Sequence, residues 1–231
     1  MSKKTFKTKV VKMADLFNEE IRAKMRKAAV VAVLIIDNPD DDVPLANALQ
    51  KGGIDAIELT LRTPAALQAL KNIRREKPEI LSGVGTILNK EQVEAVKASG
   101  APFGVSPGFN LSVVTAAKQA GLPFAPGILT PSELETAYEN GCKVLKLFPS
   151  ESSGGLAYLR DINAPYAHLG IEYIPLGGIS AANLQKYLEE PAVLAVGGSW
   201  LAPRKLIQAR DWDQISRNCE EARQIANKVR S

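Results

Sequence analysis

From about residue 28 the chain alternates between two hydrophobic patterns. Short, nearly continuous apolar runs fall at 30–36, 54–61, 80–86, 103–106, 123–127, 143–149, 171–178 and 193–199, with starts 20 to 28 residues apart. Between them lie stretches whose apolar positions recur at helical spacing, such as VPLANALQKG, NKEQVEAVKASG, LSVVTAAKQAG and SAANLQKYLEE. Several open on a capping or proline signal (Thr63-Pro64, Asn89, Asn110, Thr130-Pro131, Ser180), and several close on Gly52, Gly100, Gly121 or Gly141. These are the start and stop marks of helices. Strand–helix alternation predicts parallel strands joined by helical crossovers. Eight such units predict an α/β fold of the (β/α)8 TIM-barrel type in a single domain. An open doubly wound sheet is the alternative, but its usual G-x-G-x-x-G turn is replaced after the first run by DNPDDD. Residues 10–27 have helical period and predict a helix before the first strand, capping the bottom of the barrel. Residues 211–230 predict a final amphipathic helix.

Polar residues break the pattern inside two of the runs. Strand side chains alternate between faces. In AIELTLR, Ile57, Leu59 and Leu61 share one face, and Glu58, Thr60 and Arg62 share the other. The apolar face belongs against the helices, so Glu58 points into the barrel, where a carboxylate needs a partner. Arg62 is one candidate and a cation from across the barrel is another. The sixth run supplies such a cation: with Leu145 and Leu147 against the helices, Lys146 points inward beside Val144 and Phe148. A desolvated lysine favours the neutral amine, the form that attacks a carbonyl to make an imine. A Lys146–Glu58 ion pair with a purely structural role is the competing reading. A third feature is the pair of glycine-rich run ends, Gly177-Gly178-Ile179-Ser180 and Gly197-Gly198-Ser199. In barrels of this kind the loops after strands seven and eight often hold a phosphate on backbone N–H groups.

Composition narrows the class. Of 231 residues 45% are hydrophobic and 23% charged, as in an ordinary globular protein. No apolar stretch reaches the roughly 18 residues of a spanning helix, so no membrane role is expected. Cys142 and Cys219 make neither a disulfide framework nor a C-x-x-C zinc site, and the one histidine, His168, falls in a predicted loop. No metal site is expected. The N-terminus lacks the apolar core of a secretory signal, which predicts a cytoplasmic protein. The net charge of +4 is accounted for by Lys3, Lys4, Lys7, Lys9 and Lys12. Residues 1–12 therefore predict a basic, flexible tail, and 13–231 the barrel. With 6% aromatic residues and no basic stripe on a folded face, no nucleic-acid partner is expected.

ELTLRT (58–63), GVGTILN (83–89), VSPGF (105–109), KLFPSE (146–151), GGIS (177–180) and VGGSWL (196–201) resemble, in order, the 2-keto-3-deoxy-6-phosphogluconate (KDPG) and 4-hydroxy-2-oxoglutarate (KHG) aldolases, over about residues 28–210. The resemblance implies a class I aldolase without metal or cofactor. It would cleave KDPG to pyruvate and glyceraldehyde 3-phosphate, and KHG to pyruvate and glyoxylate. By the same resemblance, Lys146 is the Schiff-base residue and Glu58 the proton shuttle. Arg62 holds the pyruvyl carboxylate, Thr86 lies beside it, Phe148 packs against the imine, and Gly177, Gly178, Gly198 and Ser199 hold the phosphate. The resemblance also implies a homotrimer whose small-molecule partners are a phosphorylated keto-deoxy sugar acid and pyruvate. The family's usual threonine before the two glycines is Leu176 here, which leaves open a preference for the C4 epimer, 2-keto-3-deoxy-6-phosphogalactonate. Ile35-Ile36 stands where some relatives carry an arginine. A non-catalytic phosphosugar-binding barrel is the reading from another class.

Overall fold

The computed structural model describes residues 15–230. Every apolar run carries strand: β1 (Val30–Leu34), β2 (Ala56–Thr60), β3 (Leu81–Gly85), β4 (Gly104–Val105), β5 (Phe124–Ala125), β6 (Gly127–Ile128), β7 (Val144–Leu147), β8 (Glu172–Pro175) and β9 (Val196–Gly198). Nine segments come from eight runs because the fifth divides at Pro126, which has no N–H to donate to a ladder.

All the ladders are parallel. They form a six-stranded sheet, β5-β4-β3-β2-β1-β9, and a three-stranded sheet, β6-β7-β8. Isolated parallel bridges Tyr173↔Val193 and Leu176↔Gly197 connect the two along β8 and β9. The fold is thus α/β with a curled parallel sheet in two pieces, where the run pattern predicts one continuous eight-stranded ladder. The interruption falls where the fourth and fifth runs mix Gly104, Pro123, Pro126 and Gly127 into short apolar stretches, and only two-residue strands form there.

The helices are α1 (Glu19–Ala28), α2 (Asp42–Lys51), α3 (Ala66–Glu76), α4 (Lys90–Ala98), α5 (Leu111–Ala120), α6 (Pro131–Glu139), α7 (Gly155–Asn163), α8 (Ala181–Leu188), α9 (Arg204–Gln208) and α10 (Trp212–Val229). Asn89 and Asn110 cap α4 and α5 through their side chains, and Thr130 with Glu133 forms a capping box on α6. Thr63 does not cap: its hydroxyl donates to the Ile36 carbonyl, and α3 begins three residues later. Of the helix predicted over 10–27, residues 10–14 lie outside the described residues, and α1 starts only at Glu19 because Asn18 caps it by accepting from the Ile21 N–H. The predicted tail 1–12 lies outside the described residues. α7 and α9 have no counterpart in the predicted set. The predicted loop at His168 is a 3-10 helix, Ala164–Leu169, with His168 exposed.

Two apolar clusters follow the strand alternation. Ile57, Leu59, Leu145 and Leu147 pack between sheet and helices. Val31, Val33, Ala56, Leu81, Phe103, Val105, Ala125, Val144 and Ile174 form the other cluster. It draws on both sheets, so the two pieces curl around one apolar centre. One end of that centre is filled by Phe17 and by Ile21, Met25 and Ala28 of α1. Met25 is completely buried, a placement worth about 1.5–3 kcal/mol for a side chain of this size. Among the described residues no helix is long and apolar enough to cross a membrane.

Candidate active site

Two charged side chains interrupt the apolar interior. Glu58 enters from the middle of β2, and Lys146 from β7, where it is flanked by Gly127 and Ile174. The Lys146 Nζ donates to Glu58 Oε1 at 3.1 Å and lies 3.4 Å from Oε2. Both are nearly sealed from solvent, at 6% and 4% exposed. Lys146, and not Arg62, is therefore the cation that compensates Glu58. Gly85 on β3 makes the space: a Cβ there would stand 1.8 Å from Glu58 Oε1. The Phe148 ring centroid is 5.5 Å from the Lys146 Nζ, within reach of a cation–π contact.

On its outer side Lys146 opens into a cleft of about 280 Å³, lined among others by Arg62, Thr86, Phe148, Leu176, Gly177, Gly198, Ser199 and Arg204. Seven of the nine site residues picked out in the sequence, Lys146 included, border this cleft. Glu58 lies on the far side of Lys146, against a void of about 10 Å³ shared with Met25 and Leu176. That is close to the smallest space that holds one water. Gly178 stands exposed beside the cleft.

Each wall has a local cause. Thr60 donates its hydroxyl to the Leu34 carbonyl at 2.9 Å, tying the end of β2 to β1, and Arg62 follows just past the strand, exposed. Thr86, directly after β3, sits at φ +62°. That left-handed conformation is unusual for a β-branched residue and costs on the order of 1–3 kcal/mol. Gly177 and Gly178 adopt φ +97° and +81°, which glycine tolerates and other residues do not. Their turn is stitched to the chain after β7: the Ser150 N–H donates to the Leu176 carbonyl at 2.7 Å, and the Glu151 N–H to that of Gly177 at 3.0 Å. The buried Ser150 hydroxyl meets the Tyr187 hydroxyl at 2.9 Å, and Tyr187 also donates to the Glu151 carboxylate. Burial, with that carboxylate, pushes the Tyr187 hydroxyl up to about 12.

One cleft residue has no signal in the sequence motifs. Arg204, at the start of α9, donates from Nε and Nη2 to the two carboxylate oxygens of Asp37 at 2.9 and 2.6 Å. Gln208 adds a third bond to Asp37 at 2.9 Å. These bonds hold the Asp37 carboxyl below the usual carboxylate range. Elsewhere, burial pushes the thiols of Cys142 and Cys219 up to about 12. Among the described residues no group of three or more His, Cys, Asp or Glu is placed to hold a metal ion.

The chain resembles known proteins over most of its length. The family model for KDPG and KHG aldolase matches residues 21–218. A 2-dehydro-3-deoxy-phosphogluconate aldolase of Haemophilus influenzae is 40% identical over 203 residues, 88% of this chain and 95% of that protein. A KHG/KDPG aldolase of Escherichia coli is 40% identical over 193 residues, 84% of this chain and 90% of that protein. A crystal structure of the KDPG aldolase of Legionella pneumophila, with pyruvate captured at low pH as a covalent carbinolamine intermediate, superposes with a TM-score of 0.83. It shares 35% identity and covers 87% of this chain and 97% of that chain. With a buried lysine–glutamate pair at the floor of its cleft and these matches along nearly its whole length, the chain belongs to the KDPG and KHG aldolase family.

Proposed function

We propose that this chain is a class I aldolase that cleaves KDPG to pyruvate and glyceraldehyde 3-phosphate, and KHG to pyruvate and glyoxylate, through a Schiff base on Lys146. The observation that carries this reading is the buried Lys146–Glu58 contact of 3.1 Å where the cleft meets the sealed interior. The neutral amine attacks the substrate's C2 ketone, and loss of water leaves a protonated imine. The C4 hydroxyl gives its proton to the Glu58 carboxylate, directly or through water. The C3–C4 electron pair then moves into the imine as an enamine, and the aldehyde departs. Glu58 returns the proton to C3, and hydrolysis releases pyruvate. Arg62 grips the pyruvyl carboxylate with two parallel hydrogen bonds, Thr86 lies beside it, and Phe148 flanks the imine. The glycine N–H groups at Gly177, Gly178 and Gly198 hold the phosphate together with the Ser199 hydroxyl.

Several features support the wider reading. The 40% identical relatives bear the gluconate name, which favours that epimer over the galactonate one despite Leu176. The bridges along β8 and β9, the continuity of β5 and β6 around Pro126, and the shared apolar centre support a (β/α)8 barrel forming one domain over 13–231. A homotrimer completes this reading.

Borohydride reduction in the presence of pyruvate tests the mechanism. The expected product is a covalent adduct on the peptide containing Lys146, absent in Lys146→Ala, which also loses on the order of 10⁴-fold or more in kcat. Adduct on another lysine, or full activity in Lys146→Ala, would overturn the assignment.

A further inference from the structure

Arg204 stands among the walls of the cleft together with Gly177, Gly198 and Ser199, the groups assigned above to the phosphate. Its guanidinium has five N–H donors. Asp37 takes one from Nε and one from Nη2, in a fork that fixes the plane of the group. The remaining three N–H bonds have no partner among the described residues. Asp37 is in turn fixed from a second side by Gln208. Both partners remain open to solvent, with 52% of the Arg204 side chain and 33% of the Asp37 side chain exposed. A cation held in this way keeps donors to spare and has already lost much of its rotational freedom, so a ligand loses less in ordering it.

We propose that Arg204, oriented by Asp37 and Gln208, is a specificity-determining residue that contacts the distal phosphate ester of the substrate and favours phosphorylated over unphosphorylated substrates. This rests on the aldolase reading above. The division of labour is chemical. The reacting end needs one carboxylate partner, Arg62, and one amine, Lys146. A distal phosphate carries up to two negative charges and more acceptor sites than Ser199 and the glycine N–H groups alone would meet. A substrate ending in a carboxylate close to C4 would not extend to this rim.

Kinetics on KDPG and KHG for the wild type, Arg204→Gln, Arg204→Lys and Asp37→Asn test the proposal. The ratio of kcat/KM for KDPG over KHG is expected to fall about tenfold in Arg204→Gln, mainly through KM for KDPG. It should fall less in Arg204→Lys, which keeps the charge without the fork, and in Asp37→Asn, which keeps the guanidinium but loosens it. Inorganic phosphate, as a competitive inhibitor, should bind correspondingly more weakly to Arg204→Gln. An unchanged ratio and an unchanged phosphate inhibition constant in Arg204→Gln would overturn the proposal and leave only a rim ion pair. Pyruvate trapping on Lys146 separates the two levels. Wild-type protein that neither traps pyruvate nor cleaves either substrate refutes the aldolase reading, whereas normal trapping with an unchanged ratio refutes the role of Arg204 alone.

Discussion

The same strands build two unlike regions from their inward-facing side chains. Near their N-terminal ends, Ala56 of β2, Leu81 of β3 and Val144 of β7 join Ile21 and Met25 of α1 in an apolar plug. Two residues further along, about 6.6 Å of strand, the inward positions become Glu58 on β2 and Lys146 on β7. Two residues beyond that come Thr60, Gly85 and Phe148. Because all the ladders are parallel, the polar positions gather at one end and the apolar ones at the other. The plug closes the inner side of the Lys146–Glu58 pair to bulk solvent and leaves there only the small void beside Met25, while the opposite side opens into the cleft. With the mechanism proposed above, stability belongs to one end and chemistry to the other, and substitutions can test that division.

Among substitutions aimed at this division the largest effect is expected from Glu58→Gln, which keeps the shape and removes the carboxylate proposed above as the base. Its kcat should fall roughly 10²–10⁴-fold, while pyruvate trapping on Lys146 persists in part. Turnover within a few-fold of wild type in stopped assays would move the proton shuttle elsewhere. Met25→Ala tests the plug. Deleting a fully buried methionine should cost about 2–5 kcal/mol, a Tm drop of roughly 4–20 °C in a chain of this size. If calorimetry shows that loss while kcat at 25 °C stays within a few-fold, the two ends are separable; a parallel collapse in kcat of the folded variant would show that the plug also positions the site.

Gly85→Ala addresses the boundary between the regions. The added methyl must displace Glu58, and a shift of about 1 Å in a reacting group can cost about 10²-fold in rate. Steady-state kinetics showing no loss would mean that Glu58 can shift aside without losing its function. The smallest effect is expected at Leu176, which borders both the cleft and the interior void. In the proposed function a hydroxyl there would hydrogen-bond the substrate near C4, a discrimination worth about 1–3 kcal/mol, or roughly 5- to 150-fold. Leu176→Thr should therefore raise the ratio of kcat/KM for the gluconate over the galactonate epimer. An unchanged or lower ratio, measured on both epimers, would place the selectivity in another contact.

Much of this architecture is legible in the chain because it is encoded locally. A strand's period of two separates Glu58 from Ile57 and Leu59, and Lys146 from Leu145 and Leu147, without any knowledge of their partners. Capping residues such as Asn89, Asn110 and Thr130 mark helix starts through bonds that span two or three residues. Where local signals conflict, legibility fails. Pro126 and its neighbouring glycine cut one run into two strands, Thr63 spends its hydroxyl on Ile36 instead of a helix, and α7 starts after Gly154 with no side-chain cap to mark its beginning.

What the sequence determined by itself is which side chains face inward and in what order along each strand, since steric alternation needs only nearest neighbours. Which of them meet follows from how the strands are assembled. Glu58 and Lys146 are 88 residues apart, and their pairing depends on how the curled sheet brings β2 opposite β7 and on the space left by Gly85. Asp37 and Arg204 are 167 residues apart and join only because β1 and β9 are neighbours in the sheet. Such contacts depend on strand order and curvature, which arise from packing the whole apolar centre and are written in no single segment of the chain.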